Sequence, residues 1–427
     1  MAVGIGVLGA GTVGGTLIRR LVEEGAGVAA KTGLELEVRR VALRSPEKQR
    51  AFSIPESMIT TRPMEVVEDP TVELVVEVMG GRDPAFDLVR SALEMGKPVV
   101  TANKELIAAR GPELLDAATR SGVPLLFEAA VGGAIPIIRP LTETLAGERI
   151  ERVMGIVNGT TNFILTRMFD EGMTFADALA EAQSLGYAEA DPTADLSGAD
   201  AASKASILAS LAFATWVGPD QVYREGITGI SPIDLAYAAD LGYTVRLLAI
   251  AERTEGGVSA RVHPAMVPLD HPLAAIRGAT NAILVQGPAV GELLFAGPGA
   301  GGEPTATAVL GDVIDAARGL RSGSQMAPHI SMRPGSVVDA SEVPTRWYLR
   351  LEVADKPGVL ARIATAFAEV AVSIKSVWQE GRGDEATLLL ITHEAPERQQ
   401  RAAAAALDGL DVVEEVAAAI RVEGDPS

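Results

Sequence analysis

The start of the chain constrains its fold more than any other stretch. Residues 3–8 form an apolar run of strand length, followed at once by Gly9-Ala10-Gly11-Thr12-Val13-Gly14. Leu17, Ile18, Leu21 and Val22 then recur at helical spacing until Gly25. A strand, a G-x-G-x-x-G turn and a helix in this order mark a Rossmann-type unit. The glycines permit a tight turn and let backbone approach a pyrophosphate, which sits at the positive end of the helix. Gly9, Gly11, Thr12, Val13 and Gly14 are therefore candidate cofactor contacts.

The next strand, residues 36–43, ends at Arg44-Ser45. NAD-specific folds place an acid near this point to bond the ribose hydroxyls. Arg44 could instead pair with a 2′-phosphate, which favours NADP while NAD remains possible. A solvent-facing arginine at a strand end is the plainer alternative. Residues 72–79 read as another strand, ending in Gly80-Gly81, and a helix spans 85–95. The following strand ends in Thr101-Ala102-Asn103-Lys104. Such strand ends line the ligand crevice of open α/β sheets, so Lys104 is expected to point towards cofactor and substrate. A strand over 124–128 leads into a Gly132-Gly133 turn.

The length of 427 residues suggests two or three domains. Only 4% of residues are aromatic, so cores must rest on Ala, Val, Leu and Ile. A net charge of −19 argues against nucleic acid and anionic membranes as partners, though not against a phosphorylated cofactor. With no cysteine, thiolate nucleophiles, disulfides and Cys-ligated metals are excluded. His263, His271, His329 and His393 show no metal-ligand spacing and read as structural or surface residues. The opening Met-Ala-Val-Gly lacks the basic start of a signal peptide, and apolar runs are too short to span a bilayer. A soluble cytoplasmic protein is expected.

In the middle of the chain, a strand over 148–157 runs into Asn158-Gly159-Thr160-Thr161, where Thr160 or Thr161 could cap a helix beginning at Asn162. A helix over 175–185 closes at Gly186 as its C′ residue. Then Glu189, Asp191, Asp195 and Asp200 precede Lys204. Asp191, before Pro192, suits a turn, and Asp195 suits a cap or a pocket acid. Asp200 and Lys204 share one helical face. That pair can hold an ammonium beside a carboxylate for proton transfer, although the same spacing also serves ordinary surface ion pairs. A second Gly-rich loop, 297–302, precedes an amphipathic helix over 308–320. After a Pro-bearing linker (331–346), a strand, the turn Asp355-Lys356-Pro357-Gly358-Val359-Leu360, a helix, strands at 372–379 and 386–392, a helix at 396–407 and a strand at 412–422 spell β-α-β-β-α-β.

The runs from Gly155 to Leu165 and from Gly186 to Lys204 resemble the substrate and catalytic loop of homoserine dehydrogenases. The C-terminal module, with Asp-x-Pro-Gly at its first turn, resembles an ACT domain. The resemblance implies an α/β protein: a Rossmann-type domain (1–137), an α+β catalytic and dimerisation domain (138–330) whose helix 304–320 returns to the first, a linker, and a ferredoxin-like ACT domain (347–424). It implies interconversion of L-homoserine and L-aspartate 4-semialdehyde, with Lys204 as proton donor and acceptor and Lys104 assisting at the cofactor. Glu189 and Asp200 would bind substrate, Asn158 and Thr160 border its pocket, and Gly186 and Gly302 approach the cofactor. A sodium ion would lie at Glu128 and the carbonyls of Val131, Gly133 and Ile135; spacing alone asks for no metal there. Glu225-Gly226-Ile227-Thr228-Gly229-Ile230 and residues 262–268 match the family too and read as strand, turn and dimer-interface material. A homodimer or homotetramer is expected. The ACT module would bind an amino acid such as threonine, or serve only to dimerise. The rivals are another amino-acid dehydrogenase on this fold and a ligand-sensing regulator without catalysis. Intact Lys104, Glu189, Asp200 and Lys204 argue against the regulator.

Overall fold

The strand Val3–Leu8 is buried at every position, so both of its faces are enclosed, as in a parallel sheet. In the computed structural model, residues 2–47, 52–323, 330, 332–354, 356–382 and 385–426 are described. Asp355, His329 and Ser331 fall outside them. The chain is a mixed α/β protein that divides into two compact units, Met1–Val153 with Ser206–Pro219 and Val285–Gly335, and Met154–Ala205 with Asp220–Leu284 and Ser336–Ser427.

The first unit carries a six-stranded parallel sheet in the order Ile59–Thr60, Leu36–Ala42, Val3–Leu8, Leu74–Glu77, Val99–Thr101, Leu125–Leu126. This is the doubly wound order that places a ligand crevice beyond the strand C-termini. The helix Gly302–Ser322 buries Ala306, Val309, Leu310, Val313, Ala316 and Ala317, a stripe at helical spacing. That stripe joins Leu17, Ile18 and Leu21 of the helix Thr12–Glu23 in one core. The last strand is shorter than the sequence suggests. It stops at Leu126 because the chain turns into a 3₁₀ segment, Glu128–Ala130, whose first carboxylate is bound by later backbone.

The second unit is built on a mixed sheet with neighbouring strands Thr280–Gly287, Arg152–Ile156, Tyr243–Thr254, Gly257–Pro268, Val413–Val422, Pro344–Val353, Glu385–Thr392 and Ile374–Arg382. The last four belong to the C-terminal β-α-β-β-α-β module, completed by the helices Val359–Glu369 and Glu397–Asp408. Its core comprises Leu349, Leu351, Ile363, Phe367, Leu388, Leu390 and Leu407. The strand Val413–Val422 joins the module to Gly257–Pro268 by parallel pairing at Ala265 and Met266.

A buried ion cluster sits at that seam. Arg421 binds Glu397 through Nη2 (2.6 Å) and Nε (3.2 Å), while Thr345 Oγ1 and Trp347 Nε1 donate to the other Glu397 oxygen. Burial opposes ionisation of Glu397, but the Arg421 charge and these donors win and hold its pKa near 2. A depressed acid pKa contributes stability fully above the unfolded-state value of 4.5, and the contribution is lost as pH falls through about 2. Glu397→Gln should therefore cost about 3–5 kcal/mol near neutral pH, the usual price of breaking a buried pair. Denaturant titrations should show the gap to wild type closing as pH drops from about 4.5 to about 2; a gap independent of pH would refute the assignment.

Candidate active site

At the glycine turn, Gly9 has φ +100°, a conformation rarely open to L side chains. A Cβ on Gly14 would lie 2.1 Å from the Gly9 carbonyl oxygen, so the helix packs this closely only with glycine. Gly11 meets nothing within 4 Å of an added Cβ, and it caps the helix Thr12–Glu23 without a side-chain bond. The N–H groups of the first turn, from Thr12 and Val13 onward, thus carry an uncapped positive helix end with no acid nearby in sequence. The return helix starts beside it: a Cβ on Gly302 would sit 3.0 Å from Thr16 Oγ1 and 3.1 Å from Thr12 Cγ2. It also lacks a side-chain cap. Two helix N-termini therefore meet at the turn, a geometry suited to a pyrophosphate.

Arg44 is exposed just past Leu36–Ala42, and the Ala42 carbonyl accepts a hydrogen bond from Gly9 N–H at 3.1 Å. Lys104 opens the helix Lys104–Ser121 and is half-buried. Asn103 caps that helix through Leu106 N–H (3.1 Å) and donates to the Gly81 carbonyl (2.6 Å). Glu77 is an organising residue not singled out from the sequence. It is fully buried and accepts from Met79 N–H (2.8 Å), Gly80 N–H (3.3 Å) and Thr101 Oγ1 (2.6 Å). Burial raises its pKa against the pull of these donors. An acid inside the apolar stretch before Gly80-Gly81 was the available signal.

Glu128 is buried with its carboxylate engaged by backbone. Oε1 accepts from Ile137 and Ile138 N–H at 2.6 and 2.7 Å, and Oε2 from Arg139 N–H at 3.0 Å. The carbonyls of Val131, Gly133 and Ile135 are contributed by buried residues and accept no hydrogen bond among the described residues. Carbonyl oxygens without donors are groups that a hard monovalent cation could satisfy. No cluster of three or more His, Asp or Glu side chains suited to a metal occurs among the described residues.

In the second unit, the helix Gly159–Glu171 begins earlier than the sequence suggested. Its cap is Asn158, not Thr160 or Thr161, because Asn158 Oδ1 accepts from Thr161 N–H at 2.9 Å. Asn158 Nδ2 donates to Asp195 (2.7 Å) and Asp200 (2.9 Å). Thr160 Oγ1 donates to the Tyr187 carbonyl at 2.6 Å, tying the helix start to the loop after Gly186, which takes φ +77°. Lys204 is nine-tenths buried and donates to Asp200 Oδ2 (2.7 Å) and the Val157 carbonyl (2.6 Å). An ammonium has three donors, so one N–H remains beyond these bonds. Burial, helped by the Asp200 charge, raises the pKa of Asp195 although Asn158 opposes the shift. Glu189 is exposed and makes no hydrogen bond to this cluster among the described residues. Asp191 forms a turn with Thr193, accepting from its N–H at 3.1 Å and Oγ1 at 2.6 Å. Asn158, Asp195, Asp200 and Lys204 thus form one hydrogen-bonded set, and the helix Ala199–Phe213 carries its last two members.

The parallel sheet and its glycine turn place the chain among NAD(P)-binding dehydrogenases. Residues 9–128 match the family model described as homoserine dehydrogenase, NAD binding domain; residues 136–314 match that of homoserine dehydrogenase, and 347–412 that of the ACT domain. A homoserine dehydrogenase of Corynebacterium glutamicum is 48% identical, covering 99% of this chain and 96% of that protein. The structure of a homoserine dehydrogenase from Thiobacillus denitrificans superposes with a TM-score of 0.93 at 42% identity, covering 99% of this chain and 98% of the other. A hyperthermophilic archaeal homoserine dehydrogenase mutant in complex with NADPH covers 74% of this chain and 98% of its own, with TM-score 0.64 and 33% identity. The chain belongs to the homoserine dehydrogenase family, oxidoreductases acting on a CH–OH group. No described helix is long and apolar enough to cross a membrane.

Gly14→Ala should weaken NAD(P)H binding and destabilise the protein by about 1–3 kcal/mol, because the new methyl must displace the Gly9 carbonyl. Thermal melts and cofactor titration by fluorescence check this; unchanged affinity would show that the turn is not the pyrophosphate cradle.

Proposed function

We propose that the protein interconverts L-homoserine and L-aspartate 4-semialdehyde with NADP(H), and that the observation carrying this reading is the hydrogen-bonded Lys204–Asp200–Asn158–Asp195 set. The bound nicotinamide would supply the hydride chemistry. Gly9, Gly11, Thr12, Val13, Gly14, Gly186 and Gly302 would hold the dinucleotide, with Lys104 beside it and Arg44 on the 2′-phosphate. The remaining N–H of Lys204 would give a proton to the substrate oxygen during reduction, and the neutral amine would take it back in the reverse direction. Asp200 fixes the Lys204 amine while it does so. Glu189 and Asp200 would bind the substrate ammonium, with Asn158 and Thr160 shaping the pocket. A sodium ion would sit at the loop of Glu128, Val131, Gly133 and Ile135, ordering it through carbonyl oxygens. A homodimer or homotetramer located in the cytoplasm is the corresponding reading. Feedback by a downstream amino acid at the ACT module, with threonine the natural candidate, completes it.

Lys204→Ala should lower turnover by at least about 10²-fold, the usual worth of a positioned proton-transfer group, with cofactor affinity near wild type. NADPH oxidation with aspartate semialdehyde measures it, and a variant keeping most of its turnover sinks the reading. For the cofactor, Arg44→Asp should raise KM for NADPH far more than for NADH. Equal shifts would return Arg44 to the surface and leave the preference open.

A further inference from the structure

The segment Glu225-Gly226-Ile227 has no part in the chemistry above, yet it lies against the turn joining Asp195 to Asp200. Ile227 N–H donates to the Leu196 carbonyl at 3.0 Å. A Cβ on Gly226 would sit 1.9 Å from that oxygen and 2.8 Å from Ser197 Cα, so no other residue allows this approach. Gly198, at φ +76°, lies close to the Glu225 carbonyl, since a Cβ there would sit 3.3 Å from its oxygen. Within the turn, Gly198 N–H binds the Asp195 carbonyl (3.0 Å) and Ala202 N–H binds the Gly198 carbonyl (2.8 Å). The backbone touched by 225–227 is therefore the backbone that sets both acids and leads into the Lys204 helix.

The segment is held from its far side by charge. Glu225 N–H binds the Val262 carbonyl at 2.8 Å, and its carboxylate accepts from Tyr223 OH at 2.8 Å and pairs with Arg421. Arg421 is only 3% exposed and is gripped by Glu397, so it offers Glu225 a fixed rather than a mobile partner. Arg421 lies on the last strand of the ACT module.

We propose that Glu225 is a positioning residue for the dehydrogenase reaction: its ion pair with Arg421 presses the Gly226 backbone onto residues 196–198 and so sets Asp195 and Asp200 for the substrate ammonium. The proposal rests on the reading of Asp200 and Lys204 as the substrate site. It also gives the ACT module a physical route to that site, since any change in the seat of Arg421 reaches the acids through two packed backbones.

Glu225→Gln keeps the shape and removes the charge. It should raise KM for homoserine about tenfold, the scale on which a coupled network shifts affinity, with KM for NADPH unchanged. Hydrogen exchange at the amides of residues 198–202 should quicken in the same variant. A lowered Tm with wild-type KM for homoserine would make Glu225 merely structural and overturn the proposal, as would an equal rise in both KM values. If Glu225→Gln does not fold, Tyr223→Phe, which removes a second donor to the same carboxylate, should show the same selective rise, roughly two- to threefold; no rise overturns the proposal. The Lys204→Ala assay separates the two readings: an active Lys204→Ala enzyme removes the substrate site itself, whereas an inactive one beside a normal Glu225→Gln KM removes only this role.

Discussion

Asn158 is the group on which the substrate end depends. A primary amide offers one oxygen and two N–H donors, and here every one is used: Oδ1 accepts from Thr161 N–H and Thr161 Oγ1, and Nδ2 donates to Asp195 and Asp200. Because both donors go to carboxylates and the oxygen goes to a helix N-terminus, only one orientation of the amide satisfies its surroundings. Burial, and then the repulsion of a second acid drawn close, raise the pKa of Asp195. Asn158 makes the arrangement tolerable by donating to both without adding charge, and Lys204 supplies the one cation. The neighbouring Val157 carbonyl holds the same ammonium. Two consecutive backbone positions at the end of Arg152–Ile156 therefore fix the helix start, the acid pair and the lysine together. Precision follows because none of these groups can move alone.

Features built from short stretches of chain were legible in the sequence. The glycine turn, the apolar stripe of the return helix and the β-α-β-β-α-β order each depend on residues close in sequence, so their spacing carries the structure. The Asp200–Lys204 bond is of the same kind, one helical turn long. What spacing could not reveal were bonds between distant segments. Asn158 meets Asp195 across 37 residues and Arg421 meets Glu225 across 196. Thr160 and Thr161 are credible caps by residue type, and only the fold shows that Asn158 takes that role. The turn that Glu128 closes is equally non-local, since its carboxylate gathers the N–H groups of Ile137, Ile138 and Arg139 from 9 to 11 residues on. Glu77 has no periodic signature, being an acid within an apolar strand; its partners come from a neighbouring strand and a following turn.

The seam between the ACT module and the rest of the second unit shows why charge is buried where an apolar contact would be cheaper. The strand Val413–Val422 pairs with Gly257–Pro268 at only two positions, Ala265 with Arg421 and Met266 with Val422. The strand's own side chains are fixed within the module by pairing with Pro344–Val353, from Arg346 opposite Val422 to Val353 opposite Val413, so these two pairs decide only how the module aligns on Gly257–Pro268. For apolar residues at the seam a misalignment would be a modest loss. For Arg421 it would break the bonds to Glu225 and Tyr223 across the seam, while Glu397, on a helix of the same module, keeps the guanidinium in place. Directional bonds from Arg421 to Tyr223 and to Glu225 thus favour one alignment at the seam, with Glu397 holding the guanidinium that makes them. The same bonds place Glu225, and hence the Gly226 contact with the acid-bearing turn, at a fixed distance from the module. A junction made specific by charge in this way holds its geometry, and it transmits any displacement of the module instead of absorbing it.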